Sequence, residues 1–280
     1  MRTQSRDTHP EAERVLIDLI RKAPIAKRFG LVRSMTAFAT RLNQQNIQQL
    51  YPQLAKEEVA ATFVKDHYNR TLAYNIHPIL KQRQTAFTAD LLDALLSIKT
   101  IFEVLNVRYY IKGAVALSLY GMQRATFDID FVAHLEPELF NGVISLLKAA
   151  CYVDEETIKN AIEKKTDFEA IHLDSLLKIN ISLAQNTTRD KMIESRLLNH
   201  IVEVNYPSIN VASPEDIIIT QLQEYKANGE VADDQWNDIL GVLKVQGETL
   251  DSTYLGYWTS EISLAHLLIN AYFDAGLTNS

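Results

Sequence analysis

The sequence predicts a mixed α/β fold, a sheet-bearing core with helical extensions on both sides. Three observations carry this. Apolar residues recur at helical spacing through the first eighty residues and again after Ser213. Between them lie β-branched and aromatic runs, Val107–Ile111, Phe127–Val132, Phe168–His172 and Leu176–Leu183, separated by amphipathic helical stretches. Only nine Gly and seven Pro occur in 280 residues, a composition that favours helix over turn-rich architectures.

Taken in order, Leu16, Ile17, Leu19 and Ile20 mark a first helix. Leu31, Val32, Met35, Phe38, Ala39 and Leu42 mark a second, which Tyr51-Pro52 ends. Glu57 to Ile76 reads as a third, with Val59, Phe63, Val64, Tyr68 and Leu72 as its stripe. At its end, Arg70 and His77 loosely match an Arg-x4–6-His pattern seen in small helical ribonucleases. A surface arginine and a helix-end histidine is the preferred reading. Residues 86–105 form another helix. The strand 107–111 runs into Lys112-Gly113, and a short apolar helix, 114–120, closes at Gly121. A second strand, 127–132, precedes helices over 136–150 and 154–165. Phe168–His172 and Leu176–Leu183 read as paired strands, with edge strands expected at 201–204 and 209–211. Ser213-Pro-Glu-Asp216 supplies a cap, a first-turn proline and first-turn acids for a helix at 214–227. Helices at 234–245, 251–259 and 261–275 follow. The expected division is a helical arm (1–82), an α/β core (83–212) and a helical extension (213–280).

Charge and cysteine content exclude several classes. With 28 basic and 35 acidic residues the net charge is −7, so no global positive field recruits nucleic acid. The single cysteine, Cys151, precludes an intrachain disulfide framework or a Cys-based zinc site, and its apolar setting reads as a buried small hydrophobe. No apolar run has the length of a membrane span or signal peptide, so a cytoplasmic protein is expected.

The segment Lys112 to Phe131 carries the chemistry. Gly113 lets the backbone turn tightly at a strand end, and the helix after it offers unpaired N–H groups to phosphate oxygens. The next strand brings Asp128 and Asp130, whose i, i+2 spacing puts both carboxylates on one face, while Phe127, Ile129 and Phe131 point to the core. Two adjacent carboxylates repel unless a cation lies between them, and hard oxygen ligands suit Mg2+ or Mn2+. Arg124 is a natural ion-pair partner for either aspartate. Lys178 alternates outward from its strand, where a solvated lysine and a phosphate contact are both open; His172 reads as a satisfied strand-end histidine.

Gly113-Ala114, Tyr120-Gly121 and Arg124-Ala-Thr-Phe-Asp-Ile-Asp130 resemble the signature of the DNA-polymerase-β-like nucleotidyltransferase superfamily. The similarity is greatest to its minimal and abortive-infection (AbiEii-like) branch, and continues through His172–Asn180, Ser213–Asp216 and Trp236–Leu243. It implies a nucleotidyltransferase core with a mixed sheet flanked by helices. The implied activity is Mg2+-dependent (or Mn2+-dependent) transfer of a nucleotide from an NTP to a hydroxyl on RNA, such as tRNA, or on protein, in a toxin–antitoxin setting with a cognate antitoxin. Asp128 and Asp130 would be catalytic and hold metal; Gly113, Ala114, Arg124, Thr126 and Lys178 would bind nucleotide. Two positions depart from the family pattern. Asn180 stands where a third carboxylate is usual, and Gln221 where a phosphate-binding lysine is usual; Glu169 or Asp174 could replace the missing charge. The alternative the departures favour is a catalytically impaired relative that binds nucleotide or a protein partner as a sensor or scaffold.

Overall fold

The computed structural model describes residues 2–5, 7–83, 87–88 and 90–277. Four helices open the chain: α1 (Pro10–Lys22), α2 (Ile25–Leu50), α3 (Lys56–His67) and α4 (Arg70–Arg83). The helix expected over 57–76 is thus two. Tyr68 leaves helical geometry (φ −120°, ψ −83°), and the Asn69 side chain accepts the Leu72 N–H at 2.8 Å, restarting the helix. α5 (Leu91–Val104) starts later than the expected 86, because Asp90 caps it by accepting the Leu92 N–H at 3.0 Å. Residues 86 and 89 of that expectation lie outside the described residues.

The middle of the chain alternates: β1 (Tyr109–Lys112), α6 (Gly113–Tyr120), β2 (Asp128–Ala133), α7 (Phe140–Ala150), β3 (Cys151–Tyr152), α8 (Glu155–Lys164), β4 (Phe168–His172) and β5 (Lys178–Leu183). Next come α9 (Thr188–Ser195), β6 (Leu198–His200) and β7 (Ile209–Val211). The edge strand expected at 201–204 lies at 198–200 instead, where Leu198, Asn199 and His200 pair antiparallel with β7. α10 (Pro214–Ala227), α11 (Asp233–Gln246), α12 (Ser252–Glu261) and α13 (Ala265–Ala275) complete a mixed α/β protein with helical ends. No described helix is long and apolar enough to cross a membrane.

Two compact units form, each drawn from separated stretches. One comprises residues 1–31, 110–124 and 186–280. In it β7 pairs parallel with β1 and antiparallel with β6, beside a core that includes Ile218, Leu222, Ile239 and Leu243. Gly121 sits against α11 so closely that a Cβ there would meet Val242 N at 3.0 Å and Gly241 C at 3.1 Å. A buried ion pair joins Lys244 Nζ to Glu13 Oε1 at 2.9 Å.

The other unit comprises residues 32–109 and 125–185. Its strands run in the order β3-β4-β5-β2. β2 and β5 are parallel, while β4 is antiparallel to both β5 and β3. Ile129, Phe131, Ile179 and Ile181 are wholly buried on one face, as their period of two requires. Phe63, Val64, Ile76 and Leu80 of α3 and α4 form a cluster with Ile171, Leu173 and Leu176 at the other. Cys151 is buried as expected, and that burial pushes its thiol up to about 12.

Candidate functional site

β2 presents its carboxylates because its alternate residues are anchored. Phe131 packs its ring 5.7 Å from Phe102 and 6.0 Å from Tyr109, and with Ile129 it fixes which face is buried. Asp128 and Asp130 therefore share the opposite, half-buried face. Register with β5 sets Asp128 beside Lys178 and Asp130 beside Asn180; register with β4 sets Asn180 beside Glu169. A row Asp130–Asn180–Glu169 thus crosses three strands.

Side-chain contacts order this face. Thr126, itself buried and receiving its position from a backbone N–H bond to Thr36 Oγ1 (3.1 Å), donates its hydroxyl to Asp128 Oδ1 at 2.8 Å. Asn180 Nδ2 donates to Asp130 Oδ1 at 2.8 Å. Lys178 Nζ lies 3.6 Å from Glu169 Oε2 and 5.8 Å from the Tyr68 ring centroid. Lys178 is thus held by a carboxylate and an aromatic face, more constrained than a solvated strand lysine. Tyr68 Oη is 2.8 Å from Phe127 O and 2.9 Å from Leu176 O, tying the end of α3 to the entries of β2 and β5. Burial pushes the Tyr68 phenol above its usual range, so it stays protonated as a donor. Sequence periodicity shows Tyr68 only as part of a helical stripe.

The donor set on β2 suits a hard dication. Both aspartates accept from neutral donors, Thr126 and Asn180, which orient a carboxylate without neutralising it. Asn180 adds a carbonyl oxygen, an acceptable ligand that brings no charge.

Gly113, Ala114 and Arg124 belong to the other unit. Gly113 adopts φ +63° between β1 and α6, a left-handed conformation that disfavours any residue with a Cβ. No side chain caps α6, leaving its first-turn amides to other acceptors. Arg124 makes a two-pronged pair with Asp238 of α11, Nη2–Oδ2 at 2.9 Å and Nε–Oδ1 at 3.3 Å, rather than the nearby-in-sequence aspartate pairing that was expected. Burial raises the Asp238 carboxyl above its usual range, against the pull of Arg124. Gln221 is buried and donates to Glu224 Oε2 at 2.9 Å.

Arg70 and His77 line one open groove of about 870 Å3 with Lys65, Tyr74 and Tyr152. His172, read as a satisfied strand-end histidine, is buried and bonds Ser175 Oγ through Nδ1 at 2.9 Å.

Comparison with known proteins finds one family model that matches the middle of the chain. The family described as nucleotidyl transferase AbiEii toxin, Type IV TA system, matches residues 91–223, a span holding Gly113, the Asp128–Asp130 pair, Glu169, Lys178 and Asn180. No curated protein matches. Among solved structures, an antigenic nucleotidyltransferase-like protein from Paracoccidioides brasiliensis is 17% identical over 65% of this chain and 94% of its own, with a TM-score of 0.40. The antibiotic-resistance factor ANT(2'')-Ia is 14% identical over 64% of this chain and 90% of its own, with a TM-score of 0.37. Residues 91–223 of this chain match the AbiEii nucleotidyl transferase toxin family model, the branch that its glycine turn and Asp-x-Asp strand resemble.

Proposed function

We propose that the protein transfers a nucleotide from an NTP to a hydroxyl on an RNA or protein acceptor, as the toxin of a toxin–antitoxin pair with a cognate antitoxin. The observation that carries this is the Asp128–Asp130 pair on one strand face, each carboxylate oriented by a neutral donor. Asp128 and Asp130 would hold Mg2+ or Mn2+, with the side-chain Oδ1 of Asn180 as an uncharged third ligand. A dication bound there would polarise the phosphoryl oxygens and favour ionisation of the acceptor hydroxyl. The chain's own groups do the rest. Gly113, Ala114 and the amides after them would bind phosphate oxygens, and Lys178, kept in place by Glu169 and Tyr68, would add positive charge beside Asp128. Thr126 fixes the Asp128 rotamer. Arg124 would reach nucleotide by giving up Asp238.

A second reading is favoured by Asn180. With two carboxylates instead of three, the same face would bind a metal–nucleotide and turn it over slowly or not at all, leaving a nucleotide-responsive binder. Incubating the chain with α-labelled NTPs, Mg2+ or Mn2+ and total tRNA or cell protein separates the two. Label transferred by wild type and not by Asp128→Asn supports the transferase. Metal-dependent nucleotide binding with no label transferred supports the binder.

A further inference from the structure

Away from the β2 face, the turn between β4 and β5 brings together Asp93, His172 and Asp174, one ligand atom of each lying within 4.8 Å of the others. Asp93 is in the first turn of α5, and the backbone N–H of Thr88, just before that helix, bonds Asp174 O at 3.0 Å. Two chain segments far apart in sequence therefore converge here. His172 is 1% exposed. Its Nδ1 is fixed by Ser175 Oγ at 2.9 Å, and Ser175 Oγ also accepts the Leu177 N–H at 3.3 Å. No hydrogen bond is made at the ring's Nε2 among the described residues. A cation shared by the imidazole and the two carboxylates would offset the repulsion between those carboxylates. Oriented through one nitrogen and open at the other, the ring has the arrangement of a metal-ligating histidine.

We propose that Asp93, His172 and Asp174 bind a divalent transition-metal ion, Zn2+ or Mn2+. One imidazole and two carboxylates select this class over Mg2+, which favours an all-oxygen octahedron. Water completes the shell. Arg83 Nη2 lies 3.3 Å from Asp174 Oδ1, so Asp174 is shared between the guanidinium and the ion. The ion clamps the start of α5 to the β4–β5 turn. It thereby braces the two strands that carry Glu169, Lys178 and Asn180, and it is distinct from any ion on Asp128 and Asp130.

The test measures Zn2+ and Mn2+ binding to the full chain, after chelation and desalting, by equilibrium dialysis with elemental analysis and by thermal unfolding. Wild type, Asp93→Asn, His172→Gln and the double variant Asp128→Asn/Asp130→Asn are compared. Asp93 is exposed, so Asp93→Asn keeps the test open even if His172→Gln fails to fold. The proposal expects one equivalent bound with a rise in melting temperature in wild type and in the β2 double variant, and affinity at least about tenfold weaker in Asp93→Asn. X-ray absorption of the Zn2+ form should show a single imidazole among oxygen ligands. Unchanged binding in Asp93→Asn, loss only in the β2 double variant, or no wild-type binding at 100-fold excess metal would each overturn it.

Discussion

Asn180 donates from Nδ2 to Asp130 Oδ1 at 2.8 Å, so the amide at the position where the sequence resemblance led us to expect a carboxylate orients the neighbouring carboxylate. In a metal-free protein this removes a repulsion. A third carboxylate at 180 would face Asp130 directly across the β2–β5 pair.

Restoring that charge makes the point measurable. Asn180→Asp should lower the melting temperature without metal, by roughly 2–4 °C for each kcal/mol of repulsion. Saturating Mn2+ should reverse the loss and give a larger upward shift than in wild type. Differential scanning calorimetry with and without Mn2+ checks both; a metal-free variant as stable as wild type would contradict the account.

Loss of Asp128 should act on chemistry more than on folding, because its side chain is half-buried and bonds only Thr126 among the described residues. Asp128→Asn should reduce nucleotidyl transfer by about a hundredfold or more, the scale of single catalytic groups, with unfolding midpoints within a few degrees of wild type. Transfer at the wild-type rate would remove Asp128 from the chemistry.

Gly113 and Gly121 frame α6 and should fail differently. Gly113→Ala forces a Cβ into φ +63° and should cost about 1 kcal/mol while weakening nucleotide binding. Gly121→Ala drives its Cβ onto the backbone of α11, 3.0 Å from Val242 N, and should cost about 1–3 kcal/mol through overpacking. Chemical denaturation of both variants, paired with nucleotide titration, distinguishes the two.

The α5 cap predicts a pH dependence. Burial raises the Asp90 carboxyl, but Arg33, whose Nε is 2.8 Å from Oδ1, and the amides of Leu92 and Asp93 outweigh it, so Asp90 ends below its ordinary 3.8. A carboxyl lowered on folding contributes stability above pH 3.8 and loses it as pH falls through the lower folded value. Asp90→Asn keeps the cap and removes the charge. Wild type should exceed it by up to about 1 kcal/mol near neutral pH, with the difference closing below pH 3.8. A difference that is constant with pH would contradict this.

The buried pair Lys244–Glu13 gives the largest expected effect. Lys244→Met leaves Glu13, 1% exposed, without its cation and should cost about 3–5 kcal/mol. Adding Glu13→Leu should recover most of that. Urea denaturation of the single and double variants checks it.

Much of this was legible in the sequence, and the exceptions share causes. Local signals found the β1–α6–β2 segment, because Gly113, Gly121 and the Asp-Ile-Asp alternation are short-range patterns. The break at Tyr68 was hidden because an unbroken apolar stripe runs through Asn69, whose capping bond overrides it. α9 was missed because Ile193 is the one buried residue it holds; its signal was the capping box of Thr187 and Asp190. Arg124 was expected near its sequence neighbours, yet its partner Asp238 lies 114 residues away. The Asp130–Asn180–Glu169 row rests on inter-strand register, which is set by non-local pairing that no local pattern reports.

The most direct test of the central claim is calorimetric titration of the chain with each NTP, in Mg2+, Mn2+ and excess chelator, for wild type and Asp128→Asn. The account predicts nucleotide binding that requires the dication and is lost in the folded variant. Binding that is unchanged by chelator, or equal in Asp128→Asn, would contradict it.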